Sequence, residues 1–147
     1  MDFETTVKWQ IYNTIVETTE TPTGPEIAST LGSEIEEVAE AFQILSDKRL
    51  LVLEPLDANK IRMAPPFSGV KTIHRVKIGK KSYFANCAWD ALGIAAAMQR
   101  DADIESSCLD CGEDLAFRVS NGRPINDRCA VHFAVPAAKW WDDIIYT

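Results

Sequence analysis

The stretch Thr21-Pro22-Thr23-Gly24-Pro25-Glu26, continued by Leu31-Gly32-Ser33-Glu34-Ile35-Glu36, decides how the first part of the chain folds. Pro25 suits the first turn of a short helix, Glu26 to Leu31, because its missing N–H has no intrahelical partner there, and Gly32 ends that helix. Ser33 with Glu36 forms a capping box for the next helix, on which Ile35, Val38, Phe42 and Leu45 share one face. Upstream, Val7, Ile11 and Ile15 recur at helix spacing, and that helix must stop before Thr21-Pro22. Downstream, Leu50 to Glu54 and Lys60 to Met63 read as two strands joined by Asp57-Ala58-Asn59. Three helices followed by a β-hairpin is a winged-helix-like pattern.

Ala64-Pro65-Pro66-Phe67-Ser68-Gly69 reads as a linker, which divides the chain into a winged-helix-like helical domain over 1–65 and a cysteine-containing core over 66–147. In the core, Thr72 to Ile78 and Ser82 to Ala85 are expected as strands around the Gly79-Lys80 turn. Cys87 to Met98 reads as an alanine-rich helix. Leu115 to Val119 and Cys129 to Val135 read as strands separated by a turn at Asn121-Gly122, and Ala137 to Asp143 as a helix. The fold class is α+β, with a small mixed α/β core holding every cysteine.

Composition narrows the function classes. The 147 residues are 46% hydrophobic and 25% charged, as in a globular domain. A bilayer span needs about eighteen or more apolar residues, and the longest candidate, Ala91 to Met98, is far shorter. The start, Met1-Asp2-Phe3-Glu4, is acidic where a signal peptide would be basic, which points to the cytoplasm. The net charge of −7 opposes binding to nucleic acid or anionic membrane unless cations cluster. Lys71, His74, Arg75, Lys77, Lys80 and Lys81 do cluster, but read as a solvated hairpin face with an exposed His74. The third helix, where a winged helix would read DNA, carries Glu34, Glu36, Glu37 and Glu40, the wrong charge for phosphates and base edges. DNA is therefore not the expected partner.

Four cysteines in a cytoplasmic chain suggest metal ligands or reactive thiols rather than disulfides. In Asn86-Cys87-Ala88-Trp89-Asp90, Asn86 is a good N-cap, placing Cys87 in the first helical turn, where free amides and the helix dipole favour a thiolate. Asp90, three residues on, shares its face. Together they can bind a soft metal and deliver a proton beside it; the plainer reading is a small buried cysteine with a helix-stabilising aspartate. The second constellation, Cys108-Leu109-Asp110-Cys111-Gly112 with Cys129-Ala130-Val131-His132, has the spacing C-x2-C-x17-C-x2-H of zinc ribbons. Cys129 and His132 would point to opposite faces of a strand, so both ligate only if the chain bends. Otherwise Cys129 is core and His132 an ordinary strand histidine. Trp140 and Trp141 read as core and surface neighbours.

The segment Tyr83-Phe84-Ala85-Asn86-Cys87-Ala88-Trp89-Asp90-Ala91-Leu92-Gly93-Ile94 resembles the catalytic helix of alkylmercury lyases. Ser106-Ser107-Cys108 followed by Gly112, and Val131-His132-Phe133-Ala134-Val135-Pro136, are similar to later family segments, and the helices ahead of this core match the family's layout, so the resemblance covers roughly residues 5 to 147. It implies that thiolates capture an organomercurial and an aspartate protonates the departing carbon, giving a hydrocarbon and mercuric ion, with Cys87 as one thiol and Asp90 as the proton carrier. Mercury is then substrate and product, small thiols are partners, and no organic cofactor is needed. The family's second catalytic cysteine is expected just after Thr147, unless Cys129 or Cys108 substitutes. Cys111 adds a C-x-x-C pair beyond the best-known lyases and suggests a separate, zinc-type structural site of Cys108, Cys111, Cys129 and His132. The rival readings are a non-catalytic soft-metal or zinc-binding protein and a metal-responsive winged-helix regulator.

Overall fold

The computed structural model describes residues 2–125 and 129–146. Helix α1 spans Phe3–Thr18, begun by Asp2, whose carboxylate accepts the Thr5 N–H at 2.8 Å, and it buries Val7, Ile11 and Ile15. Helix α2 spans Gly24–Leu31 and is closed at its start by a Thr23–Glu26 capping box. Helix α3 spans Ile35–Asp47. Its capping box is Glu34–Glu37, one residue beyond the expected Ser33–Glu36, because Glu34 is the last extended residue. That start turns Val38, Ala41, Phe42 and Leu45 inward and leaves Ile35 exposed, contrary to expectation. Glu34, Glu36, Glu37 and Glu40 all face solvent.

Strands β1 (Val52–Glu54), β2 (Asp57–Ala64) and β3 (Phe67–Ser68) form an antiparallel sheet in that order. Glu54 pairs with Asp57, so the chain reverses at Pro55-Leu56 rather than at Asp57-Ala58-Asn59. Proline is pre-set for the second position of such a four-residue turn. The expected linker is not a linker. Ala64 and Phe67 are paired across a turn that contains the cis Pro65–Pro66 peptide, and Phe67 is buried. Phe67 also bridges to Ala85 of the second half, and its ring meets those of Tyr12 and Tyr83 at 6.3 and 5.5 Å. The expected 65/66 boundary thus falls between two paired strands, and one continuous apolar cluster runs from Val7 to Val119.

The second sheet comprises β4 (Arg75–Ile78), β5 (Lys81–Phe84), β6 (Ala102–Ser107), β7 (Asp114–Ser120) and β8 (Arg123–Pro124). Its order is β5-β4-β6-β7-β8, with every neighbouring pair antiparallel. Val76, Ile78, Ala102 and Ile104 alternate inward. Helix α4, Ala88–Met98, lies on β4 and β6 and buries Ala91, Ile94 and Ala95. His74 is a correction: it is 8% exposed, not solvated, with Nδ1 2.7 Å from Ser106 Oγ, and burial pushes its pKa down. It continues the inward register of Val76 and Ile78.

Cys129 to Val135 is not a strand. Phe133 packs on Trp89 of α4 at 6.1 Å and on Trp140 at 5.2 Å instead of joining a ladder. The expected last helix is a short 3-10 turn over Ala137–Asp142. No helix among the described residues is long and apolar enough to cross a membrane.

Candidate active site

The site is built where β5 ends and α4 begins. Phe84 closes β5, Ala85 is held by the bridge to Phe67, and Cys87 becomes the N-cap of α4. The expected cap was Asn86; the cap falls one residue later, and the Cys87 Sγ itself accepts the Asp90 backbone N–H at 3.5 Å, with the Trp89 amide also directed at it. Two orphan helix donors therefore converge on one sulfur. They do not make it an acidic thiol, as helix placement alone would predict. Burial pushes the Cys87 thiol up from the ordinary 9.0 and the Asp90 carboxylate adds to this, while the two amides pull the other way. Desolvation wins.

Released from capping, the Asn86 side chain bridges two elements. Its Nδ2 donates to Asp90 Oδ2 at 3.1 Å and to the Phe67 carbonyl at 3.2 Å. Its Oδ1 is buried with no hydrogen-bond partner among the described residues. Burial raises the Asp90 carboxyl above 3.8, and the Asn86 bond opposes that rise. Tyr12 closes the far side: its hydroxyl donates to the Pro65 carbonyl at 2.8 Å, and its pKa is pushed up to about 12, first by burial and then by the Asp90 charge. Gly93 lets α4 approach the same turn, since a Cβ there would sit 3.2 Å from Pro66 Cβ. Trp89, Phe133 and Trp140 line the outer side.

A thiol and a carboxyl, both with pKa values raised by burial, thus occupy one helix turn, the carboxyl held by the Asn86 amide. A model of the MerB, alkylmercury lyase, family matches residues 67–147, more than half of the chain. The chain belongs to the alkylmercury lyase family. A solved structure described as the mercury-bound form of MerB2 superposes with a TM-score of 0.68 at 25% identity, over 86% of this chain and 60% of that one. The chain thus spans about 60% of the length of that structure. No curated protein sequence matches it.

Cys87 and Asp90, the residues that the family resemblance singled out, are together. Among the described residues no group of three or more His, Cys, Asp or Glu side chains gathers as a metal site. Cys108 and Cys111 meet in the β6–β7 turn, but exposed Cys129 and His132 do not complete a four-ligand cluster with them. The cysteine expected after Thr147 would fall beyond the 147 residues of the sequence. Asn86, Tyr12 and Phe67 were not foreseen as site residues. Only the Asn86/Asp90 spacing of four, which suits a helix-face pair, could have signalled the first.

Proposed function

We propose that this member of the alkylmercury lyase family cleaves carbon–mercury bonds by thiolate capture followed by protonolysis. The Cys87 sulfur displaces a ligand from the organomercurial, its own proton leaving to solvent, and forms an Sγ–Hg bond. Protonated Asp90 then delivers its proton to the mercury-bound carbon. The C–Hg electron pair stays with carbon, a hydrocarbon departs, and Asp90 is left as the carboxylate. A small thiol supplies a second sulfur to the mercuric ion, a chemistry that fits the reducing cytoplasm. Asn86 orients Asp90 throughout.

The observation that carries this reading is the single turn in which Asp90 donates its N–H to Cys87 Sγ while burial keeps its carboxyl prone to protonation. The test is benzene release from phenylmercury with excess small thiol. Cys87→Ser should abolish organomercurial binding. Asp90→Ala should keep binding and lose hydrocarbon release. Release that survives Asp90→Ala would sink the assignment.

A further inference from the structure

The C-x-x-C pair of the β6–β7 turn plays no part in that chemistry. Its geometry is well defined. The Gly112 N–H donates to the Cys108 carbonyl at 2.8 Å, the Cys108 N–H donates to the Glu113 carbonyl at 2.8 Å, and Gly112 takes φ 74°, which glycine adopts without a steric penalty. The Cys111 and Asp110 amides and the Cys111 thiol together hold the Cys108 thiol below its ordinary 9.0. The closure from Gly112 to Cys108 puts residues 108 and 111 on one tight turn, where two thiolates at this spacing can face one ion and amide dipoles can offset their charge. Cys108 is half-buried and Cys111 exposed, and both are free thiols open to solvent.

What the pair can bind follows from its donor count. Structural zinc takes four ligands, and among the described residues no third His, Cys, Asp or Glu joins these two. Thiolates select soft cations, and the softest d10 ions are content with two sulfurs. We infer that Cys108 and Cys111 form a two-thiolate site for a two-coordinate soft d10 cation, with mercuric ion as its probe ligand. On binding, each S–H bond gives way to an S–metal bond and two protons leave to the buffer. The site does not depend on lyase activity. Its position is nonetheless telling: Phe84 and Glu105 both pair with Arg75, so β5 and β6 run parallel on either side of β4. The strands that lead to Cys87 and Cys108 therefore end on the same side of the sheet, two strand spacings or roughly 10 Å apart where they flank Arg75.

The test is titration of prereduced protein with mercuric chloride in the Cys87→Ser background, read by the ultraviolet thiolate-to-mercury charge-transfer band and by X-ray absorption. One equivalent should bind through two sulfurs, and adding Cys111→Ser should weaken that binding at least tenfold, with circular dichroism unchanged. Cys108→Ser should do the same. Binding unaffected by either substitution, or a metal surrounded by three or four protein ligands, would overturn the inference. So would preference of the pair for zinc when mercuric and zinc ions compete.

Discussion

Cys87 Sγ accepts the backbone N–H of Asp90 at 3.5 Å, so the residue proposed to capture mercury also caps the helix that carries its proton donor. Capture and capping make different demands on position 87. A serine hydroxyl caps a helix well, whereas alanine loses about 1 kcal/mol at an N-cap. Cys87→Ser should therefore keep or raise the melting temperature, and Cys87→Ala should lower it by a few degrees. Both should lose organomercurial binding. A serine variant as unstable as the alanine one would show that the sulfur is not acting as a cap.

The raised Cys87 pKa sets an order of reactivity. Burial holds Cys87 above 9.0, whereas the amides of Cys111 and Asp110 pull Cys108 below it. Near neutral pH, brief alkylation mapped by mass spectrometry should label Cys108 before Cys87. The Cys87 rate should still be rising beyond pH 9, because the thiolate is the reactive form. Cys87 labelled first at pH 7 would contradict the dominance of burial.

Much of this was legible in the residues. Val7, Ile11 and Ile15, the α2 punctuation and the Cys87–Asp90 spacing all led to what is observed, since local periodicity decided them. The errors share a cause: they depend on a partner distant in the chain. Phe67 belongs to a strand because it pairs with Ala64 and touches Ala85, although its neighbours read as a linker. His74 is buried by Ser106, 32 residues away. Strand β6 is short and polar in composition, and only its pairing with β4 and β7 makes its alternation of Ala102, Ile104 and Ser106 inward against Asp103, Glu105 and Ser107 decisive. The Cys129–Val135 alternation looked equally strand-like, but its aromatic ring found Trp89 instead.

Phe67 offers a stability test of the join between the two halves. It is 3% exposed and touches both Tyr12 and Tyr83. Phe67→Ala should cost about 3–5 kcal/mol, the usual range for a buried phenylalanine. Because one apolar cluster spans the chain, loss should appear as one cooperative transition at lower temperature in calorimetry. Two separated transitions would mean that the halves unfold independently.

Asp90 predicts an exchange of stability for function. Its folded-state pKa lies above the ordinary 3.8, so between those values the folded chain binds more protons than the unfolded one. Stability then falls as pH rises through that window; the cost is complete above the folded pKa and absent below 3.8. Asp90→Asn removes the charge and can still accept from Asn86 Nδ2. It should be more stable than the parent at pH 7, lose that advantage below pH 3.8, and release no hydrocarbon. Equal denaturant midpoints at pH 7 would refute the burial cost.

Asn86 is a positioning residue, and its effect should appear in a pH profile rather than in binding. Its Nδ2 bond to Asp90 Oδ2 favours the carboxylate and so lowers the Asp90 pKa against the rise caused by burial. If the protonated carboxyl delivers the proton, hydrocarbon release from the captured organomercurial declines as pH rises through that pKa. Asn86→Ala removes the opposing bond, so the decline should move to higher pH. The maximal rate should fall about tenfold or more, because the carboxyl loses the contact that aims it. Organomercurial binding at Cys87 should stay within about twofold of the parent, since the capping amides come from the backbone; one kilocalorie of misplacement there would already exceed that. Single-turnover benzene release across pH, with phenylmercury preloaded, separates the two effects. A lower rate with an unmoved profile would mean that Asn86 supports only the fold. A profile displaced to lower pH would show that the Asn86 side chain acts on Asp90 mainly by keeping water from it, not by favouring its carboxylate.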